Sequence, residues 1–143
     1  MLDLLTYFIK RHKSEPTYID PKSKITPQEY EELLKKTTTI YIGGLSSTCN
    51  EERIWEIFGI CGKIRRVIMG VNSKTLEVCG FCFVEFYSRE GVFNSLMFNG
   101  FRIDGCYIKV EIDYGFREGR QYGRGDYGGQ VQKDKKRRKF CTK

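Results

Sequence analysis

The chain has 143 residues, 40% of them hydrophobic, and a net charge of +7, which fits one small domain with polar tails. No segment is long and apolar enough to span a membrane and no cleavage-site pattern follows the amino-terminal apolar residues, so we expect neither a membrane anchor nor a signal peptide. Residues 133–143 hold seven Lys or Arg and one Asp and so carry +6 of the charge. The nearly neutral remainder argues against a domain that grips phosphates nonspecifically.

The predicted elements follow the order β-α-β-β-α-β after one short leading helix. Thr26, Pro27 and Glu29 form a capping-box start for the leading helix, which ends near Lys36. The later elements are predicted at residues 38–43 (strand), 48–58 (helix capped by Thr48), 64–69 and 77–86 (strands), 88–98 (helix capped by Ser88) and 107–112 (strand). This order predicts an α+β, ferredoxin-like sandwich. Two helices cover one face of a four-stranded antiparallel sheet and leave the other face open.

Two of the predicted strands, the first and the third, carry aromatic residues at alternate positions. Successive side chains of a strand point to opposite faces, so Tyr41 lies opposite its aliphatic neighbours. Phe81 and Phe83 likewise lie opposite Cys82 and Val84. The aliphatic side chains belong to the core. The rings are therefore left for a ligand outside the domain, and flat nucleic-acid bases fit that role.

Nothing in the sequence indicates catalysis, a cofactor or a metal centre. There are six cysteines and one histidine. Cys79 and Cys82 form a CxxC, but positions i and i+3 of a strand face opposite ways, and there is no second CxxC. We expect reduced cysteines, which suggest the nucleus or the cytosol. No Ser/His/Asp set or phosphate-cradling loop is present, so we do not expect an enzyme.

The composition changes after residue 113. Six glycines up to residue 129 are interleaved with Arg and Tyr, and such a segment cannot bury itself alone. We divide the chain into an N-terminal extension (1–36), the folded domain (37–113), a Gly/Arg-rich extension (114–132) and a basic tail (133–143). The run at 133–139 is predicted to bind an import receptor as a nuclear import signal, with nonspecific attraction of RNA as the alternative.

The two aromatic strands resemble the two ribonucleoprotein motifs of an RNA recognition motif (RRM) domain. Residues 40–45 read IYIGGL and residues 80–86 read GFCFVEF, with Gly44 where Asn is usual and Cys79 where a basic residue is usual. Over residues 18–131, above all in GFREGRQYGRG at 115–125 and GGQV at 128–131, the chain is similar to the small subunit of the nuclear cap-binding complex. The resemblance implies a nuclear heterodimer with a large helical-repeat subunit. It would bind the 7-methylguanosine cap of RNA polymerase II transcripts, support splicing and RNA export, and shuttle to the cytoplasm.

The resemblance also implies a set of site residues. Methylation at N7 makes guanine cationic, and a cation is attracted to aromatic faces. The base would lie between Tyr41 on the sheet and Tyr18, which the N-terminal extension folds over the cap. The remaining roles would be guanine-edge reading by Lys109, Glu111 and Asp113, phosphate binding by Arg120, Arg124 and Gln130, cover by Val131, and stacking on or beside the next nucleotide by Phe81 and Phe83. Ile112 stands where the family has Trp. We expect the flanks near Tyr18 and at 115–131 to become ordered around the cap.

Two other functions remain open from the residues. One is a general single-stranded RNA-binding RRM protein, such as a splicing or processing factor. The other is an RRM that binds only protein, with its sheet face covered. In the cap-binding interpretation, the outer helical face is the expected docking surface for the large subunit, because the sheet face has to stay accessible.

Overall fold

The computed structural model of the protein describes residues 25–125 and Gly128. Tyr18, Gln130, Val131 and the basic run at 133–139 lie outside the described residues. Within residues 25–125, no helix has the length and hydropathy that a membrane span needs.

Helix α1 (Pro27–Lys36) begins with the predicted capping box. The Thr26 hydroxyl accepts from the Glu29 N–H at 3.2 Å, and the Glu29 carboxylate accepts from the Thr26 N–H at 3.3 Å. Each contact satisfies a backbone donor that the first helical turn leaves without a partner. Ten residues are too few for a stable isolated helix in water, so α1 depends on the surface against which it packs.

The remaining elements form the predicted order, with one addition. They are β1 (Thr39–Gly43), α2 (Glu51–Phe58), β2 (Ile64–Val71), β3 (Val78–Phe86), α3 (Arg89–Ser95) with a 3-10 turn at Leu96–Phe98, β4 (Arg102–Ile103), β5 (Cys106–Tyr107) and β6 (Lys109–Asp113). The main sheet has the strand order β2-β3-β1-β6, and its neighbours are antiparallel. This confirms the α+β sandwich. The small β4–β5 hairpin was not predicted.

Three details differ from the sequence-based prediction: two element boundaries and one capping bond. The N-cap of α2 is Asn50, whose side chain accepts from the Arg53 N–H at 2.9 Å. Thr48 instead bonds to the Ser46 hydroxyl at 2.9 Å. Ser88 occupies the N-cap position of α3 without a side-chain cap bond. The predicted last strand is split at Ile108, whose N–H donates to the Phe101 carbonyl, so that the β4–β5 hairpin and β6 are separate.

The core lies between the sheet and helices α2 and α3. Ile40, Ile42, Cys82 and Val84 are fully buried there, as the alternation in β1 and β3 predicted. A second, smaller cluster joins α1 to the residue after β6, with Tyr30, Leu34 and Tyr114 buried against one another. The first cluster holds the sheet against helices α2 and α3. The second holds α1 against the residue that follows β6.

Four of the five cysteines in the described part of the chain are free thiols, as expected. Cys49, Cys61 and Cys82 are buried free thiols, and Cys79 is a half-buried one. Cys106 is disulfide-bonded, so the expectation of six reduced cysteines is wrong at this position. Sequence spacing does not reveal which cysteines meet in space. Within the described part of the chain, no cluster of His, Cys, Asp or Glu could hold a metal ion.

Candidate nucleic-acid interface

The strand register places the predicted sheet residues on one face. Tyr41 on β1 pairs with Phe83 on β3 and with Glu111 on β6. Two residues farther along β1, Gly43 lies opposite Lys109 on β6. Because side chains two residues apart share a face, the side chains of Phe81, Phe83, Lys109, Glu111 and Asp113 all lie on the Tyr41 side of the sheet, away from the core.

The three rings on this face contact one another. Tyr41 lies 5.9 Å from Phe81 and 5.7 Å from Phe83 between ring centroids, and Phe81 and Phe83 are 6.0 Å apart. These separations fall in the range of favourable aromatic pairs. Gly70 on β2 makes room for this cluster, because a Cβ there would come within 3.0 Å of the Phe81 ring. The mutual contacts fix the orientation of Tyr41.

Only Tyr41 among these rings keeps substantial exposure. It is half-buried, whereas Phe81 is 4% and Phe83 is 2% exposed. The expectation that all three rings are left open to a ligand is therefore wrong for Phe81 and Phe83 in this structure. Phe83 is covered by the chain that follows β6, which lies over the sheet instead of leading away from it. Phe81 packs against Tyr41, Phe83 and the backbone at Gly70.

We call residues 114–123 the strap. Its Phe116 ring lies 5.4 Å from Phe83, with the Arg66 guanidinium 5.3 Å above Phe116. At its far end, the Val71 N–H donates to the Gln121 carbonyl at 2.8 Å, and the Gly123 N–H donates to the Val71 carbonyl at 3.0 Å. The strap thus crosses from the end of β6 to the edge strand β2 and makes up for its lack of a core by packing on Phe83.

An ion pair between two predicted site residues holds the near end of the strap. Arg120 donates to both carboxylate oxygens of Asp113, at 2.7 and 2.9 Å, and to the Gly115 carbonyl at 2.8 Å. The two side chains are only 12% and 8% exposed. The Arg120 guanidinium also lies 4.7 Å from the Phe83 ring centre and 4.2 Å from that of Tyr114. Two residues that the resemblance assigned to different parts of a ligand are thus bonded to each other.

The other charged residues of this face are more accessible. Lys109 and Glu111 form an ion pair of 2.7 Å, with their side chains 60% and 43% exposed, and an exposed pair of this kind adds little stability. Arg124 is half-buried beyond the strap. The face therefore has an open half, formed by Tyr41, Lys109 and Glu111, and a covered half, formed by Phe81, Phe83 and Asp113.

Two supporting groups were not predicted. Arg66 and Glu85 form an ion pair across β2 and β3, with a second contact of 3.1 Å and Glu85 almost fully buried. Tyr30 packs edge-on against Tyr114 at 5.5 Å, and burial, assisted by the nearby Asp113, raises the pKa of Tyr30 above its ordinary range. The spacing of Tyr30 and Leu34 on one helical face was a usable sequence signal. This contact ties α1 to the first residue of the strap.

Comparison with known proteins agrees with this architecture. The family model "RNA recognition motif" matches residues 40–109. A Bombyx mori protein is 49% identical over 117 residues, which covers 81% of this chain and 76% of that protein. A Homo sapiens protein is 47% identical over 116 residues, covering 80% and 74%. Both are named "Nuclear cap-binding protein subunit 2". The chain belongs to this family of RNA-binding RRM proteins.

Two further comparisons define how far the similarity extends. The Dictyostelium discoideum protein of the same name is 46% identical over 119 residues, and the matched part covers 82% of this chain and 51% of that protein. The solved "Structure of Rna15 RRM with bound RNA (GU)" superposes with a TM-score of 0.50 at 20% identity, covering 55% of this chain and 85% of that one. The second match supports the RRM fold alone.

Proposed function

We propose that the chain recognises the 7-methylguanosine cap at the 5′ end of RNA polymerase II transcripts in the nucleus. The observation that carries the proposal is the 46–49% identity, over about four fifths of the chain, to proteins named as a nuclear cap-binding subunit. The open half of the sheet face supports it. There an oriented, half-buried aromatic ring is flanked by charged side chains that can hydrogen-bond a base.

The methylated base stacks on Tyr41, and Tyr18 supplies the second ring from the N-terminal extension. Stacking of a cation on an aromatic face contributes about 2 kcal/mol or more when water is excluded, so two rings favour the methylated base over plain guanine. The rigidity of Tyr41 supports this role. A ring that is already held by Phe81 and Phe83 loses little conformational entropy when a base stacks on it.

Carboxylates read the guanine edge, and cations hold the phosphates. Glu111 pairs with Tyr41 in the sheet register, which suits an acceptor for the N1–H and 2-amino donors of a base stacked there. Asp113 is the second acceptor, and Lys109 lies beside them. Ile112, which stands where the family has Trp, is partly buried against both hydrophobic clusters, which supports a packing role for this side chain.

The phosphate bridge and the second nucleotide are bound next to the base. Arg120, Arg124 and Gln130 bind the triphosphate, and guanidinium groups suit this task because they offer forked donors. Val131 covers the pocket. Phe81 and Phe83 flank the second nucleotide. Because the strap packs on Phe83, it has to shift before this ring can make the contact.

A large helical-repeat subunit completes the heterodimer by docking on the helical face. It raises cap affinity by holding α1 and the strap in place, which lowers the ordering cost of binding. The contact of Tyr30 with Tyr114 supports this route, since it joins the two flanks. Equal cap affinity with and without the large subunit, measured by calorimetry, would contradict this part. The basic run at 133–139 binds an import receptor, and the complex supports splicing and export and shuttles to the cytoplasm.

The test is retention of the full-length chain, copurified with its large subunit, on a cap-analogue resin. We expect free methylated nucleotide to elute the protein and unmethylated nucleotide to fail. Tyr41→Ala should abolish retention while the domain stays folded. Binding that depends on internal RNA sequence and ignores the cap would instead support a general single-stranded RNA-binding RRM protein.

The covered half of the sheet favours one second candidate, an RRM that binds only protein. In that case Phe83→Ala should leave RNA binding unchanged, because Phe83 would serve only to hold the strap. In the cap-binding interpretation, the same substitution weakens binding of a capped dinucleotide more than that of the mononucleotide.

A further inference from the structure

The Arg120 guanidinium occupies a position with distinctive chemistry. It is a flat cation that lies over the rings of Phe83 and Tyr114 and donates two hydrogen bonds from one edge to the Asp113 carboxylate. Its side chain is only 12% exposed. The surroundings of Arg120 therefore bind a planar, positively charged group that carries N–H donors along one edge.

A 7-methylguanine base has the same features. It is flat, its ring is cationic, and its N1–H and 2-amino groups donate from one edge. Arg120 and such a base would compete for Asp113. The two carboxylate oxygens offer about four acceptor sites, and Arg120 and the Gly115 N–H already use three. A guanine edge that needs two acceptors cannot bind until Arg120 withdraws.

We propose that Arg120 determines specificity as an internal competitor for the guanine-edge acceptor Asp113. This inference rests on the proposed function. Arg120 leaves Asp113 when a ligand supplies donors for the carboxylate and phosphates for the released guanidinium. A ligand with donors alone would leave Arg120 partly buried without a counter-charge, which is costly. A ligand with phosphates alone would draw Arg120 away and leave the buried Asp113 carboxylate without a counter-charge.

The consequence is that recognition of the base and of the phosphates is coupled through one side chain. Coupling energies between sites are typically equivalent to about 5- to 150-fold in affinity. Uncapped RNA carries phosphates but lacks the cap's cationic base, and a free methylated base lacks the phosphates. The Arg120–Asp113 ion pair would weaken the binding of both ligands, and no steric clash is required.

The test is an NMR titration of the full-length chain, which reads weak affinities, with two probes. The probes are 7-methylguanosine, which has no phosphate, and 7-methylguanosine triphosphate. In Arg120→Gln we expect the nucleoside to bind about fivefold tighter or more, while the triphosphate binds more weakly. Arg117→Gln is the matched control, because Arg117 is exposed and lies 5.9 Å from the same Tyr114 ring. It should bind both probes as the wild type does.

The outcomes separate the inference from the function on which it rests. If the wild type binds the triphosphate but Arg120→Gln binds the nucleoside no tighter, Arg120 only positions Asp113 and the competitor role is overturned. If the wild type binds neither probe, alone or together with the large subunit, the proposed function fails and the inference fails with it. Hydrogen exchange at β1 and β3 amides checks that each variant is folded. At the Gly123 N–H, which bonds to the Val71 carbonyl, Arg120→Gln should exchange faster, and an unchanged rate would contradict the role of Arg120 in holding the strap.

Discussion

Leu34→Ala tests whether α1 is a separately docked element. Leu34 is 7% exposed and packs with Tyr30 and Tyr114, which are 7% and 5% exposed. Truncation of a buried Leu to Ala costs about 2–5 kcal/mol. This cluster is small and lies at the domain margin, so we take the lower end, about 2 kcal/mol. Because every 1.4 kcal/mol is tenfold in an equilibrium constant, the open population of α1 should rise roughly 30-fold.

Native-state hydrogen exchange measures this change directly. An undocked ten-residue helix melts in water, so the Tyr30 amide, bonded to the Thr26 carbonyl, should lose protection. Amides in β1 should keep theirs, because the main core is untouched. Lys35→Ala is the control. Lys35 is exposed on the same helix, and Ala has the higher helix propensity, so protection should stay equal or rise.

Two results would refute this reasoning. Unchanged exchange in α1 after Leu34→Ala would mean that the cluster does not hold the helix. Equal loss of protection in α1 and β1 would mean that the helix unfolds only with the whole domain, so that it is no hinge for the N-terminal extension. With the expected result, Leu34→Ala should also weaken cap binding without lowering the stability of the sheet.

Three further predictions concern single residues. Gly70→Ala should lower the free energy of unfolding, measured with urea, by about 1–3 kcal/mol, because the new Cβ meets the Phe81 ring. Adding Phe81→Leu should recover part of this loss. If Gly70→Ala leaves the stability unchanged, the described packing is wrong. Burial raises the pKa of the Cys49 thiol to about 11, so at pH 8 iodoacetamide should label half-buried Cys79 before Cys49. Because the pKa of this thiol is raised from 9.0 in the folded protein, its contribution to stability is present below pH 9 and should be lost as the pH rises to about 11. If a Cys49→Ala variant loses as much stability at alkaline pH as the wild type does, this explanation is wrong. Asp113→Asn should reduce discrimination for guanine more than it reduces general RNA binding, and equal losses in a competition assay would count against its role as an edge reader.

The sheet and helices were predictable because local signals and the fold agree. The capping box at Thr26 predicted the start of α1, and the alternation around Tyr41 predicted which side of β1 faces the core. The N-cap of α2 was misplaced because Thr48 and Asn50 are both good capping residues, and the competing bond of Thr48 to Ser46 depends on the loop conformation. The β4–β5 hairpin has two residues per strand, too few to show periodicity.

The strap was not predictable by the same means. Its position depends on ring contacts of Tyr114 and Phe116, on the Arg120–Asp113 ion pair and on two backbone hydrogen bonds to β2. None of these contacts has a sequence period. The glycines and arginines of residues 115–125 indicated a segment without its own core, which is correct. They could not indicate that Phe116 packs on Phe83, or that Arg120 bonds to a carboxylate only seven residues away. The residues predicted for the sheet face were therefore brought together, with half of them covered.

The most direct test of the central claim is calorimetry with 7-methyl-GTP and GTP, on the wild type and on Tyr41→Ala. If a cationic purine stacks on Tyr41, the wild type should bind the methylated nucleotide about 30-fold tighter or more, the equivalent of about 2 kcal/mol. That preference should disappear in Tyr41→Ala. Equal affinity of the wild type for the two nucleotides, or a preference that survives the loss of Tyr41, would contradict the account.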